Sequence, residues 1–188
     1  MKRCAWATSP ILIRYHDEKW GVPTHDETEL FKMLILEGMQ AGLSWEIVLK
    51  KEEAYQKAFD DFDYHKIASY DDKKRESLYH CEGIIRNKLK INSIITNAQA
   101  FIEVQKSYGS FDAYIWSYTK EPVNHAYEIE TQVPAYDDLS TKISQDLKKK
   151  GFKFVGPTII YSYLQAIGIY NDHILSCACY DHVDKKNR

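Results

Sequence analysis

The chain has 188 residues, 44% of them apolar and 28% charged, with a formal net charge of −2. That length carries one domain or two small lobes around a real core, and the composition is ordinary for a soluble protein. The near-neutral charge excludes a general polyanion binder, no apolar run reaches the length of a membrane span, and no signal peptide opens the chain. The expected location is therefore cytoplasmic, and nothing points to anything other than a monomer.

In chain order, "DETE" at Asp26–Glu29 predicts a helix start, with acidic residues in the first turn. The helix continues through "LFKMLILEGM" and meets Gly38 and Gly42. Leu30, Leu34 and Glu37 fall at i, i+4 and i+7, so Glu37 shares a face with two leucines. A carboxylate there is disfavoured by burial and by the negative end of the helix dipole, which marks it as kept for function. A second helix opens at Ser44, a good N-cap, with Ile47, Val48, Tyr55 and Phe59 as its apolar positions.

"DYHKIASYDDKKRESLYH" predicts one or two short helices. "NKLKINSIITNAQAFIEVQKSYG" is a long one, striped by Leu89, Ile91, Ile94, Ile95, Ala98 and Ile102 and ended by Gly109. "SFDAYIWSY" predicts another short helix, and residues 119–135 a loop. A helix from Asp137 to Lys150 closes at Gly151, "FKFVGP" turns the chain, and a helix follows with Pro157 in its first turn. The expectation is an all-α fold of about eight helices with no convincing strand. Basic clusters at Lys50-Lys51, Lys73 to Arg75, Arg86-Lys88-Lys90, Lys148 to Lys150 with Lys153, and Lys185 to Arg188 read as solvated faces.

Three constellations carry chemistry. The four cysteines, Cys4, Cys81, Cys177 and Cys179, do not look like a secreted disulfide framework. His173 and Cys177 stand at i, i+4, one face if that segment is helical, and Cys4 with His16 supplies two more donors for a closed, structural zinc site. The bland alternative is a small buried cysteine and a capping histidine. The turn "KKKGFKFVGPTII" offers helix N-terminal amides and lysines suited to a phosphate, or simply a packing unit with soluble lysines. Trp6, Tyr15, Trp20 and Trp45 with Glu37 make either a pocket for a flat cation or plain core.

Six stretches, "RCAWA", "YHDEKWGVP", "LEGMQAGLSWEIVLKK", "GIIRNKLKI", "GFKFVGPTI" and "NDHILSCACY", together resemble the 3-methyladenine DNA glycosylase I family of the helix-hairpin-helix superfamily. The resemblance runs end to end. It implies one domain, 1–188, of two helical lobes, with the helix-hairpin-helix near 137–168 and zinc-binding termini at 1–20 and 170–180. By similarity the zinc ligands are Cys4, His16, His173 and Cys177, with Cys179 nearby. Glu37 matches the base-contacting carboxylate, and Tyr15, Trp45, Trp6 and Trp20 match the pocket aromatics.

The partner implied is double-stranded DNA bearing an alkylated adenine, which the enzyme excises as a base. Gly42 and Leu43 stand where an apolar wedge fills the gap left by a flipped base, and Gly151, Lys153, Gly156 and Thr158 where the hairpin grips the backbone. The sequence departs from the superfamily at Phe154, where the first hairpin glycine usually stands; Gly156 keeps the second. Asp172 lies near the superfamily's catalytic Asp, but ranks below Glu37. Two rival readings are a glycosylase for another lesion and a DNA-binding or zinc-scaffold protein without catalysis.

Overall fold

A computed structural model describes residues 1–181; the Lys185–Arg188 cluster lies outside the described residues. Nine α-helices occur among them: α1 Pro10–Glu18, α2 Glu27–Gln40, α3 Trp45–Ala58, α4 Tyr64–Ala68, α5 Asp72–Tyr79, α6 Lys88–Tyr108, α7 Phe111–Trp116, α8 Asp138–Lys149 and α9 Pro157–Ala166. The fold is mostly helical, as expected, but not wholly so. Residues Val123–Asn124 (β1) and Tyr170–Asn171 (β2) pair in parallel, Val123 opposite Tyr170. Two residues cannot display an alternating pattern, so this contact is invisible in the sequence. It ties the expected loop at 119–135 to the C-terminal segment, and Asn171 Nδ2 donates to Asn124 Oδ1 across it at 2.7 Å.

α1 was not expected either. Ser9 takes the N-cap position and Pro10 the first helical one, a start signal present in the sequence. The cap expected at Ser44 holds, accepting from Ile47 N, and the helix start expected at Asp26–Glu29 is capped by Asp26, which accepts from Glu29 N.

The helix α2 is the axis of the molecule, packing against α3, α6, α7 and α9. It is buried all round from Leu30 to Met39, Lys32 excepted. Periodicity placed Glu37 inward correctly, but here every face is inward, as in helices at the centre of a core. Burying its apolar side chains at about 2 kcal/mol each fixes the helix far more firmly than its caps do.

The stripe on α6 holds at Ile91, Ile94, Ile95 and Ala98, with Phe101 completing it, whereas Ile102 is only half-buried. Leu89 is 74% exposed and Ile47 41% exposed, against expectation. Both stand in the first turn of their helices, where the ends project past the core. Lys90 reverses the other way: placed among solvated lysines by sequence, it is buried.

The α8–α9 connection begins with a Schellman ending. Gly151 N donates to Lys148 O and Phe152 N to Leu147 O, with Gly151 at φ +94°. Phe154 adopts φ +54°, a left-handed conformation that glycine takes without strain. Its Cβ would approach a methyl at Gly38 to 3.3 Å, so Gly38 lets the turn close on α2. Buried Asn97 holds the turn from the other side, accepting from Lys153 N at 2.7 Å and donating to Lys153 O at 3.0 Å.

Candidate active site and metal centre

Consecutive residues on α1 serve two adjoining sites, because neighbours on a helix point about 100° apart. Tyr15 faces a cavity of about 400 Å³, and His16 faces a cluster of sulfur and nitrogen donors. All five residues expected around a base line that cavity: Trp6, Tyr15, Trp20, Glu37 and Trp45. Tyr15 and Trp45 lie 5.2 Å apart between ring centroids at 60°, and Trp6 meets Trp20 edge-on at 5.0 Å.

Glu37 is 3% exposed, and its Oε2 is buried without a hydrogen-bond partner. Desolvation raises its pKa to about 8. Burial, and then the nearby Glu37 charge, pushes Tyr15 well above its ordinary value. Trp45 Nε1 is a second buried atom without a partner on the same cavity. An unmatched acceptor and an unmatched donor between aromatic walls cost stability unless a ligand uses them.

The sign of the Glu37 effect is testable. The unfolded chain ionises this carboxyl near 4.5, while the folded protein keeps its proton to about 8. The wild type therefore loses stability relative to Glu37→Gln as pH rises between those values, by up to roughly 5 kcal/mol. Urea midpoints of both proteins across that range are expected to diverge in favour of Glu37→Gln. Parallel curves would show that the carboxyl is solvated.

Cys4, His16, His173 and Cys177 converge, all buried, with their donor atoms within 4.8 Å of one another. Cys177 Sγ lies 3.5 Å from His16 Nε2 and 3.5 Å from His173 Nδ1, and Cys4 Sγ lies 3.8 Å from His173 Nδ1. Tetrahedral sites with Cys and His ligands have edges of about 3.5 Å. The outer nitrogens are oriented as metal-bound imidazoles require: His16 Nδ1 pairs with Asp17 Oδ1 at 2.8 Å, and His173 Nε2 with Trp20 O at 3.1 Å. The residues thus fit a metal ion.

The segment from His173 to Cys177 is not helical, so helical i, i+4 spacing is not what pairs the two side chains. It is a turn, closed by Cys177 N donating to Ile174 O, that brings the same two side chains together. Cys179 stays outside the four; its Sγ lies 3.7 Å from Asp17 Oδ1, and its amide donates to Cys177 Sγ. The two sites share a wall. Trp20 packs on His173 at 4.6 Å and on His16 at 5.9 Å, and Trp6 on His16 at 5.2 Å.

Asp172 also borders the cavity, but both its oxygens are engaged. His125 Nδ1 meets one at 2.6 Å, and Tyr161 OH and Gln165 Nε2 donate to the other at 2.7 Å each. It braces β2 against α9. Gly42, Leu43 and Thr158 line a smaller recess of about 210 Å³ that adjoins Glu37. Lys153 and Thr158 are exposed, and Gly151 and Gly156 are partly so, all on or just after the α8–α9 turn. His125, Gln165 and Ser162 show no role in the sequence: the last two are single polar residues inside an apolar run, and His125 stands in an unpatterned loop.

The fold is mostly helical, and its cavity has aromatic walls and one buried acid. Residues 6–180 match the methyladenine glycosylase family, and the chain belongs to that family. It is 44% identical over 186 residues to DNA-3-methyladenine glycosylase 1 of Escherichia coli (strain K12), covering 96% of this chain and 97% of that one. A crystal structure of 3-methyladenine DNA glycosylase I superposes with a TM-score of 0.92 at 43% identity, over 95% of this chain and 99% of that one. A tyrosine-to-phenylalanine variant of 3-methyladenine DNA glycosylase I, solved in complex with 3-methyladenine, superposes with a TM-score of 0.91 at 39% identity, over 95% and 97%.

Proposed function

We propose that this protein hydrolyses the N-glycosidic bond of 3-methyladenine in double-stranded DNA, leaving an abasic site. The observation that carries the reading is the buried Glu37 carboxyl on the aromatic cavity, whose Oε2 has no hydrogen-bond partner. N3-methylation fixes a positive charge on adenine within DNA. A cationic base lowers the pKa of Glu37, whose proton passes to solvent; the base pairs with the carboxylate and stacks on Trp45 and Tyr15, with Trp6 and Trp20 closing the pocket. Neutral adenine gives the carboxylate no charge to offset its desolvation, so the same group that binds the lesion rejects the normal base.

The cationic ring is already a good leaving group. The protein extracts the nucleotide and binds the departing base; the bond's electron pair leaves with the base, which departs neutral, while water adds to the sugar carbon and gives a proton to solvent. Among the described residues no lysine lines the cavity, so simple hydrolysis without strand cleavage is the expected reaction. Leu43, 37% exposed on the turn before α3, is the apolar wedge, and the α8–α9 turn with Lys153, Gly151, Gly156 and Thr158 holds the backbone in a helix-hairpin-helix manner. The whole chain acts as one domain of two lobes, monomeric and cytoplasmic.

Zinc is the metal that the Cys2His2 donor set suits, one ion held by Cys4, His16, His173 and Cys177 in a closed, structural site. It ties the two ends of the chain and, through Trp6 and Trp20, the pocket wall.

The reaction's pH dependence tests the role of Glu37. The ionised form pairs with the lesion, so kcat/KM is expected to rise with pH and level off above about 8. A profile that falls over that range would mean that a protonated Glu37 does the work.

A further inference from the structure

Lys90 is 6% exposed in the first turn of α6. The position is unfavourable twice: burial lowers its pKa, and a cation in a first turn faces the positive end of the helix dipole. Its ammonium donates to two backbone carbonyls, Met39 O and Ala41 O, at 2.7 Å each. These belong to the C-terminal end of α2, where carbonyls lack helical partners and the dipole is negative.

The next residues form a tight turn. Leu43 N donates to Gln40 O at 2.7 Å; Ala41 has φ −46° and ψ 112°, and Gly42 has φ +78°. These are the angles of a type II turn, with glycine where φ must be positive. A methyl group at Gly42 would meet nothing within 4 Å, so the backbone angle rather than space calls for glycine. Leu43 leaves this turn partly exposed, immediately before the Ser44 cap of α3. One buried cation therefore grips the turn from both sides of Gln40, a residue that lines the base cavity.

We propose that Lys90 is a positioning residue for excision, holding the Gly42–Leu43 turn in the shape that enters the duplex. This rests on the reading of Leu43 as the wedge. Without the ammonium, Met39 and Ala41 lose their acceptor pairing, the turn shifts, and insertion fails while the base pocket persists.

The test compares single-turnover excision of 3-methyladenine from duplex DNA with binding of free 3-methyladenine, followed by tryptophan fluorescence. Lys90→Met keeps the apolar stem and removes the donors. It is expected to slow duplex excision roughly 10- to 100-fold while free-base affinity stays within about threefold. Lys90→Arg restores a cationic donor and recovers part of the rate. Leu43→Ala slows duplex excision, and adding Lys90→Met to it costs little more, since both act through one turn. Lys90→Gln carries the same comparison if Lys90→Met does not fold. Wild-type excision by Lys90→Met, a parallel fall in free-base binding, or multiplicative losses with Leu43→Ala would each overturn the proposal. Wild-type excision by Leu43→Ala alone would instead remove the wedge, and the role of Lys90 with it.

Discussion

Glu37→Ala is expected to lose excision of 3-methyladenine from methylated duplex DNA by on the order of 10²- to 10³-fold, with fold and metal retained. The size follows from removing one partner of a buried ion pair in a site that excludes water, about 3–4 kcal/mol. Stability moves the other way. The wild type carries a desolvated carboxyl whose Oε2 has no partner, so the alanine variant is relieved of that cost at neutral pH. Loss of activity with gain of stability is the signature of a group kept for function. Glu37→Gln separates charge from hydrogen bonding: it retains an acceptor without the charge and is expected to fall between the wild type and Glu37→Ala. Near-normal excision by Glu37→Ala would remove Glu37 from the reaction altogether.

The second large effect concerns the metal centre. Purified protein is expected to hold one equivalent of zinc per chain, and His173→Ala to hold much less. His173 Nδ1 stands within 3.8 Å of the sulfurs of Cys4 and Cys177, and its ring packs on His16 and Trp20. Truncating it loses a ligand and opens a hole in the core. The expected loss is roughly 3–5 kcal/mol, or about 10 °C in Tm for a chain of this size. Because Trp6 and Trp20 lean on the ligand histidines, chelation is also expected to weaken binding of free 3-methyladenine. Metal-free protein with unchanged Tm and unchanged base binding would contradict the site.

Much of this was legible in the sequence, for unequal reasons. Glu37 was legible because a charged residue inside "LILEGM" breaks an apolar run, even though the helix proved to be buried on every side. The four donors named from the sequence do converge, although His173 and Cys177 meet through a turn rather than a helix, since a turn can gather the same donors. Residues from opposite ends of the chain, such as Cys4 and His173, can be paired only by three-dimensional contact or by resemblance. Leu89 and Ile47 misled because a helical stripe says nothing about where the core stops along the axis. Lys90 was hidden for the opposite reason: within "RNKLK" it looks like one more soluble lysine, and its carbonyl partners lie 49 and 51 residues away. The β1–β2 pair was too short to show a period.

A Glu37 cavity that accepts a cationic adenine from DNA must release that base as a free product. The most direct measurement is the identity of the base that the wild-type protein releases from methylated duplex DNA, with strand integrity followed in the same reaction. Free 3-methyladenine is expected well above the spontaneous rate, with strands that break only after alkali. Release of oxidised or mismatched bases instead, or DNA binding with no base released, would contradict it.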